Sequence, residues 1–210
     1  MVAVVAVAGL LGAAAPALAD NPAGVASAGS ADFTKAGQQV VVPTLAPCSV
    51  EGPTSSAAAA VSAAGVKFGA STSTCTTTVV DQENEVTTTK SEAKGQLFEL
   101  SALMSAGGAR LKVNSWTITC TAHQAGTNAG WAVGGLTGFP GLPQQIPANY
   151  VYQVKKTSGV VLANVTFAEV NLPDPNDGSI AMNLMHFRFT PASGITGDIV
   201  VGAAACSPTP

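Results

Sequence analysis

Thr76-Thr77-Thr78-Val79-Val80 and Val86-Thr87-Thr88-Thr89 flank the polar stretch Asp81-Gln82-Glu83-Asn84-Glu85, and this segment decides the fold. β-branched side chains are stiff at χ1 and fit a pleated surface, so the two flanks read as strands. The five residues between them read as a hairpin connection. Three carboxylates in that connection raise the question of calcium. The loop lacks the glycine and ligand spacing of an EF-hand, and a solvated turn accounts for it.

Working outward, a period of two dominates from Val66 onward. Leu111 and Val113 point one way, and Trp116, Ile118 and Cys120 the other. The face therefore switches near Asn114-Ser115, as one extra residue in a β-bulge would make it do. Tyr150, Tyr152 and Val154 share a face, as do Val161, Ala163, Val165 and Phe167. Pro173-Asp174-Pro175-Asn176-Asp177-Gly178 is turn chemistry between strands at 160–172 and 180–189. A last apolar strand is expected at 199–205, after turns at Gly194 and Gly197-Asp198. Towards the N-terminus, Gln39-Val40-Val41-Val42 reads as a first short strand stopped by Pro43 and Pro47. The Ala-rich stretch 55–64, ended by Gly65, is the only helix expected, because Ala has the best intrinsic helix propensity. The expected fold class is all-β, an antiparallel β-sandwich or barrel-like structure with at most one short helix.

Residues 134–149 carry Pro140, Pro143 and Pro147 and cannot form a central strand. They also hold Leu136, Phe139, Leu142 and Ile146. Such a segment either covers an open sheet edge or offers a contact surface, and cover is the preferred reading.

Residues 1–19 read as a secretory signal peptide, with an apolar run from Val2 and the small-x-small sequence Ala17-Leu18-Ala19. The run is short for a membrane span and is interrupted by Pro16. Residues 20–36, small and Gly-rich, are expected to form a flexible N-terminal segment, and 37–210 a single β-rich domain. An exported chain without a span after signal cleavage is therefore expected, secreted or retained at the cell surface.

Charged residues make up 10% of the chain and the net charge is -3. No basic stripe is present, which argues against nucleic acid as a partner. Cys48, Cys75, Cys120 and Cys206 form an even set, read in an exported protein as two disulfides. Four cysteines allow three connectivities. Cys48–Cys75 closing a local loop and Cys120–Cys206 tying the end to the middle is the favoured one. No pair sits at zinc-ligand spacing, and neither a metal nor a cofactor is expected.

The chain has two histidines, His123 and His186. By alternation, His186 shares a face with Ile180, Met182 and Leu184, and Glu169 shares one with Phe167, Val165 and Val161. A carboxylate on such a face needs a partner, and Asn183, His186 or Arg188 across the hairpin can supply one. This cluster reads first as a polar network that fixes strand register, with a small hydrolase site on Glu169 and His186 as the alternative. There is no Gly-x-Ser-x-Gly elbow, no His-Glu-x-x-His and no nucleotide fingerprint. Glu99, Glu169 and Asp198 could form a glycosidase pair only if folding brought them together. Among the aromatic residues, Trp116 reads as core, while Trp131, Tyr150 and Tyr152 are candidates to face a glycan.

Three blocks carry a resemblance: Val165-Thr166-Phe167-Ala168-Glu169, then Asp177-Gly178-Ser179-Ile180-Ala181-Met182-Asn183-Leu184-Met185-His186, then Gly197-Asp198-Ile199-Val200-Val201-Gly202 with Cys206. Over residues 95–206 the chain resembles the choice-of-anchor P family, exported proteins found mainly in high-GC Gram-positive bacteria. The resemblance implies an exported protein of the cell surface and brings no catalytic activity with it. Family members differ in their C-terminal sorting signals, and no sortase motif or apolar tail follows Cys206 here. The expectation is a released or non-covalently retained protein. The function expected is that of a secreted or envelope-associated non-catalytic protein with envelope components or glycan as partners. A secreted hydrolase and a carbohydrate-binding module are the alternatives.

Overall fold

Alternation of buried and exposed residues begins at Gly24, well before the first expected strand. The computed structural model describes residues 21–208; the expected signal peptide lies outside them. The strands in chain order are β1 (Gly24–Lys35), β2 (Gln38–Leu45), β3 (Cys48–Ser49), β4 (Ser55–Ala58), β5 (Val61–Ala63), β6 (Val66–Phe68) and β7 (Ser71–Asp81). They continue with β8 (Val86–Leu100), β9 (Leu111–His123), β10 (Gly126–Gly134), β11 (Tyr150–Lys155), β12 (Val161–Asn171), β13 (Ile180–Phe189) and β14 (Ile195–Cys206). Two short 3-10 turns, Ala102–Ala106 and Pro191–Ser193, are the only helical elements described.

All pairings are antiparallel, and they build two seven-stranded sheets. The first runs β11-β12-β13-β14-β1-β2, with β3 beside β1. The second runs β10-β9-β8-β6-β5, with β7 between β8 and β4. Their inner faces meet in one core: Phe98 of β8 packs on Phe187 of β13, with ring centroids 5.2 Å apart. The disulfide Cys120–Cys206 stitches β9 to β14, and Cys48–Cys75 joins β3 to β7. Both bonds therefore link one sheet to the other. Fold class and connectivity match the sequence reading.

Four local expectations are corrected. The flexible segment expected over 20–36 is, in its described residues, a built strand: β1 lies between β14 and β2, and Ala26, Ala28, Ala31 and Phe33 are buried. Its small residues allow close packing rather than disorder, and the first described strand begins at Gly24. The expected helix at 55–64 is instead β4 and β5, because pairing with β7 and β6 overrides the intrinsic preference of Ala. Gly197-Asp198 lies within β14 rather than in a turn before it.

The fourth correction concerns the face switches. At Asn114-Ser115 the face does switch, yet no residue is inserted: Gln96 faces Ser115 and Phe98 faces Val113, two steps on each strand. Both strands flip together between these pairs. The first sheet repeats this on a larger scale. Pairing is interrupted along one transverse row, Ala168, Leu184, Gly202 and Ala28, while register is kept on both sides of it. Ala168, Gly202 and the neighbouring Gly29 have positive φ (44°, 65° and 131°), the backbone cost of the flip. Every strand crossing the row exchanges its faces.

The row is shaped around Trp116. A Cβ on Gly202 would stand 3.0 Å from Trp116 Cζ3, and one on Gly95, its cross-strand neighbour, 2.5 Å from Cζ2. The two glycines thus make room for a buried indole from opposite sheets. The 134–149 segment is cover, as expected: Phe139 is buried against Phe167 and Tyr152, at 5.8 and 5.4 Å, and Leu136, Leu142 and Ile146 pack on the core.

Candidate functional site

The flip decides which side chains meet on the outer face of the first sheet. Before the row β12 turns Asn164 and Thr166 outward; after it, Glu169. On β13 the outward set is Arg188 and His186, then Asn183. Glu169 therefore does not share Phe167's face, and His186 does not share that of Met182 and Leu184, as plain alternation would have it. Both strands flip at the same row, so the two displaced residues still meet.

His186 Nδ1 lies 2.7 Å from Glu169 Oε2, and its Nε2 lies 2.8 Å from Asp198 Oδ2 on β14. Asn183 Nδ2 donates to the same Glu169 oxygen at 3.0 Å. Arg188 Nη2 donates to Glu169 Oε1 at 2.5 Å, and its Nη1 reaches Thr166 Oγ1 at 3.4 Å. Ionised carboxylates only accept, so both bonds of the imidazole form together when both its nitrogens carry hydrogen. The His186 and Glu169 side chains are 12% and 14% exposed, whereas Asp198 is half exposed. Burial acts most strongly on Glu169 and pushes its carboxyl pKa up. The combined hydrogen bonds from Asn183, His186 and Arg188 outweigh burial, and the pKa lies below its ordinary value. The cluster links three neighbouring strands by charge-assisted bonds and leaves neither imidazole nitrogen unengaged.

Glu169, His186, Asn183 and Arg188 are thus brought together as the sequence suggested. Asp198 and Thr166 complete the group. Asp198, named in the sequence with Glu169 as a carboxylate that only folding could bring near, arrives through β13–β14 pairing, which sets it opposite Arg188, and Thr166 through β12–β13 pairing, which sets it opposite His186. Glu99 is elsewhere: buried in the second sheet, it is bound by Arg110 at 3.0 Å and Lys112 at 3.7 Å. Among the described residues, no group of three or more His, Cys, Asp or Glu is arranged to hold a metal ion.

The aromatic candidates separate. Trp131 on β10 is half-buried and packs on the core from the edge of the second sheet. Tyr150 and Tyr152 lie on β11, the edge of the first sheet, and line an open depression of about 430 Å³ with Pro140, Gln153 and Lys155. Tyr152 donates its hydroxyl to Pro140 O at 3.3 Å, and burial, followed by neighbouring Tyr150, raises its pKa. The three residues do not form one platform.

Fold and site define a class: a two-sheet antiparallel β protein, stapled between its sheets by two disulfides, with a closed polar cluster on one outer face. Compared with known proteins, the chain matches no family model, no curated protein and no solved structure. Paired cysteines suggest an oxidising environment. No helix among the described residues is long and apolar enough to cross a membrane.

Proposed function

We propose that this chain is an exported protein that acts without catalysis as a surface or interaction component of the cell envelope, as its resemblance to the choice-of-anchor P family implies. The observation that carries this reading is the closed state of the Glu169 cluster. A hydrolase using Glu169 and His186 needs a group free to take a proton from water or substrate. Here each Glu169 oxygen and each His186 ring nitrogen is already engaged within the cluster. The depressions described on the surface do not include Glu169, His186 or Arg188 in their walls. The cluster then serves to tie β12, β13 and β14 together.

Fractionation of cells expressing the full chain tests this function. The protein is expected in the envelope fraction and to come off with salt or denaturant rather than by hydrolysis of a bond. Recovery wholly as a soluble monomer in the medium counts against it, as does any turnover lost in Glu169→Gln while the fold remains intact.

Glycan binding is a second reading, favoured by the depression on β11, where two tyrosines sit beside the amide of Gln153 and the ammonium of Lys155. Tyr150→Ala should abolish binding to a soluble wall polysaccharide, and Trp131→Ala should not. Equal effects of both would contradict this placement.

A further inference from the structure

The charges of the described residues are sorted along the strand axis. One end of the sandwich is marked by the start of β1 and the close of β14, by the β7–β8 turn and by the 172–179 turn, where Thr127 donates to Gly178 O. The turns and turn-flanking positions there carry Glu51, Asp81, Glu83, Glu85, Asp174 and Asp177, and neither Lys nor Arg. Glu51 belongs to this end because Val50, its neighbour, donates its N–H to Gly24 O. The other end is built from the close of β1, the β5–β6 turn, both 3-10 turns and the loop after β11. It carries Lys35, Lys67, Arg110, Lys112, Lys155 and Lys156, against Glu99, which Arg110 and Lys112 already bind, with Asp32 and Asp198 three residues farther in along β1 and β14.

Exposed large apolar side chains occur at both ends, with Val41 and Val151 on the strands between them. Val79, Val80 and Leu172 are 59%, 60% and 58% exposed at the acidic end, and Met104 and Val160 are 47% and 41% exposed at the basic end. The acidic end also reaches outward: residues 76–80 of β7 are all exposed, so the β7–β8 hairpin leaves the body of the sandwich as an arm. Apolar contact surrounded by charge is the anatomy of a protein interface, and opposite signs give it direction.

We propose that the acidic end of one molecule docks on the basic end of a second copy of this chain, arm against the loops that carry Lys67, Arg110 and Lys155. The two surfaces differ and lie at opposite ends. A pair that uses one of each leaves one of each free, so the contact repeats head to tail into an open array. This gives the interaction role proposed above a partner and rests on that reading for its setting. The test in solution does not depend on where the protein resides in the cell.

The experiment is sedimentation velocity of the full chain and two variants, Lys67→Glu with Lys155→Glu and Glu51→Lys with Glu83→Lys, all four positions being exposed. At about 10 mM salt, where the Debye length is about 30 Å, the native chain should sediment faster as its concentration rises. At about 1 M salt it should return to monomer. Each variant alone has one end whose charge is largely neutralised and should stay monomeric at low salt. A mixture of the two should regain association, which general stickiness would not produce. A native chain monomeric under all conditions overturns the proposal, as do variants that associate as well as it does. So does a monomeric native chain that binds soluble polyphosphate and loses this with Lys67→Glu and Lys155→Glu, a result that assigns the basic end to an anionic polymer. Failure here leaves envelope fractionation unaffected, so the two readings fail separately.

Discussion

Asn183 and His186 are three residues apart on β13, yet both project from the outer face of the sheet and both bond to Glu169. In a regular strand, residues three apart face opposite ways. The flip between Leu184 and Met185 puts them on one side, and the matching flip at Ala168 turns Glu169 to meet them. The polar cluster is thus a product of the transverse row as much as of its own side chains.

That row should be sensitive where it closes on Trp116. Gly95→Ala places a Cβ within 2.5 Å of the Trp116 ring, whose Cζ3 edge faces Gly202 of the other sheet. Overpacking of this kind costs about 1–3 kcal/mol. Gly202→Ala meets Trp116 and Leu184 at 3.0 and 3.2 Å and adds the strain of φ 65°, about 1–2 kcal/mol. Denaturant unfolding of both variants checks this, with near-ultraviolet circular dichroism reporting displacement of the indole. Native stability in both would mean that the glycines are not shaped for Trp116.

Phe139→Ala should cost about 3 kcal/mol, because the ring is buried against Phe167 and Tyr152 and its loss leaves a cavity. Proteolysis at 134–149 should accelerate along with the loss of stability. A variant as stable as the native chain would return this segment to the role of an exposed contact surface.

Removing the disulfide Cys120–Cys206 by paired Ser substitution should destabilise more than removing Cys48–Cys75, since it closes 86 residues rather than 27. In the chain-entropy model the two differ by about 1 kcal/mol, each lying near 3–5 kcal/mol. All four cysteines are buried, so reductant without denaturant should act slowly on the folded protein. Melting temperatures of the two variants, and their order, check the prediction. A melting temperature unchanged by full reduction would contradict it.

Much of the fold was legible because period-two patterning and turn chemistry are local signals. The hairpin around residues 81–85 and the strand pair flanking residues 173–178 followed from neighbours in sequence, whereas the cysteine pairing was a preference among three connectivities. What escaped was set by tertiary contact. β1 was hidden because Ala, Ser and Gly resemble a linker unless a sheet is known to bury them. Ala-rich β4 and β5 looked helical because their strand partners lie elsewhere in the chain. In the cluster, the residues were legible but their faces were not: the reversal at Ala168 leaves no mark in an alternating sequence. Asp198 joined through a pairing that no local pattern announces.

The most direct test of the claim that the Glu169 cluster is a structural tie is the unfolding free energy of Glu169→Gln against the native chain, followed with pH. Glu169 has a lowered pKa in the fold, so its contribution is fully present above the unfolded value, about 4.3, and is lost as pH falls through the folded value. Near pH 7 the variant should be less stable by about 1–3 kcal/mol, the usual worth of hydrogen bonds to a charged group. The difference between the two proteins should shrink as the medium becomes strongly acidic. Equal stability at pH 7, or a gap that does not close in acid, would contradict the account and leave the carboxylate available for chemistry.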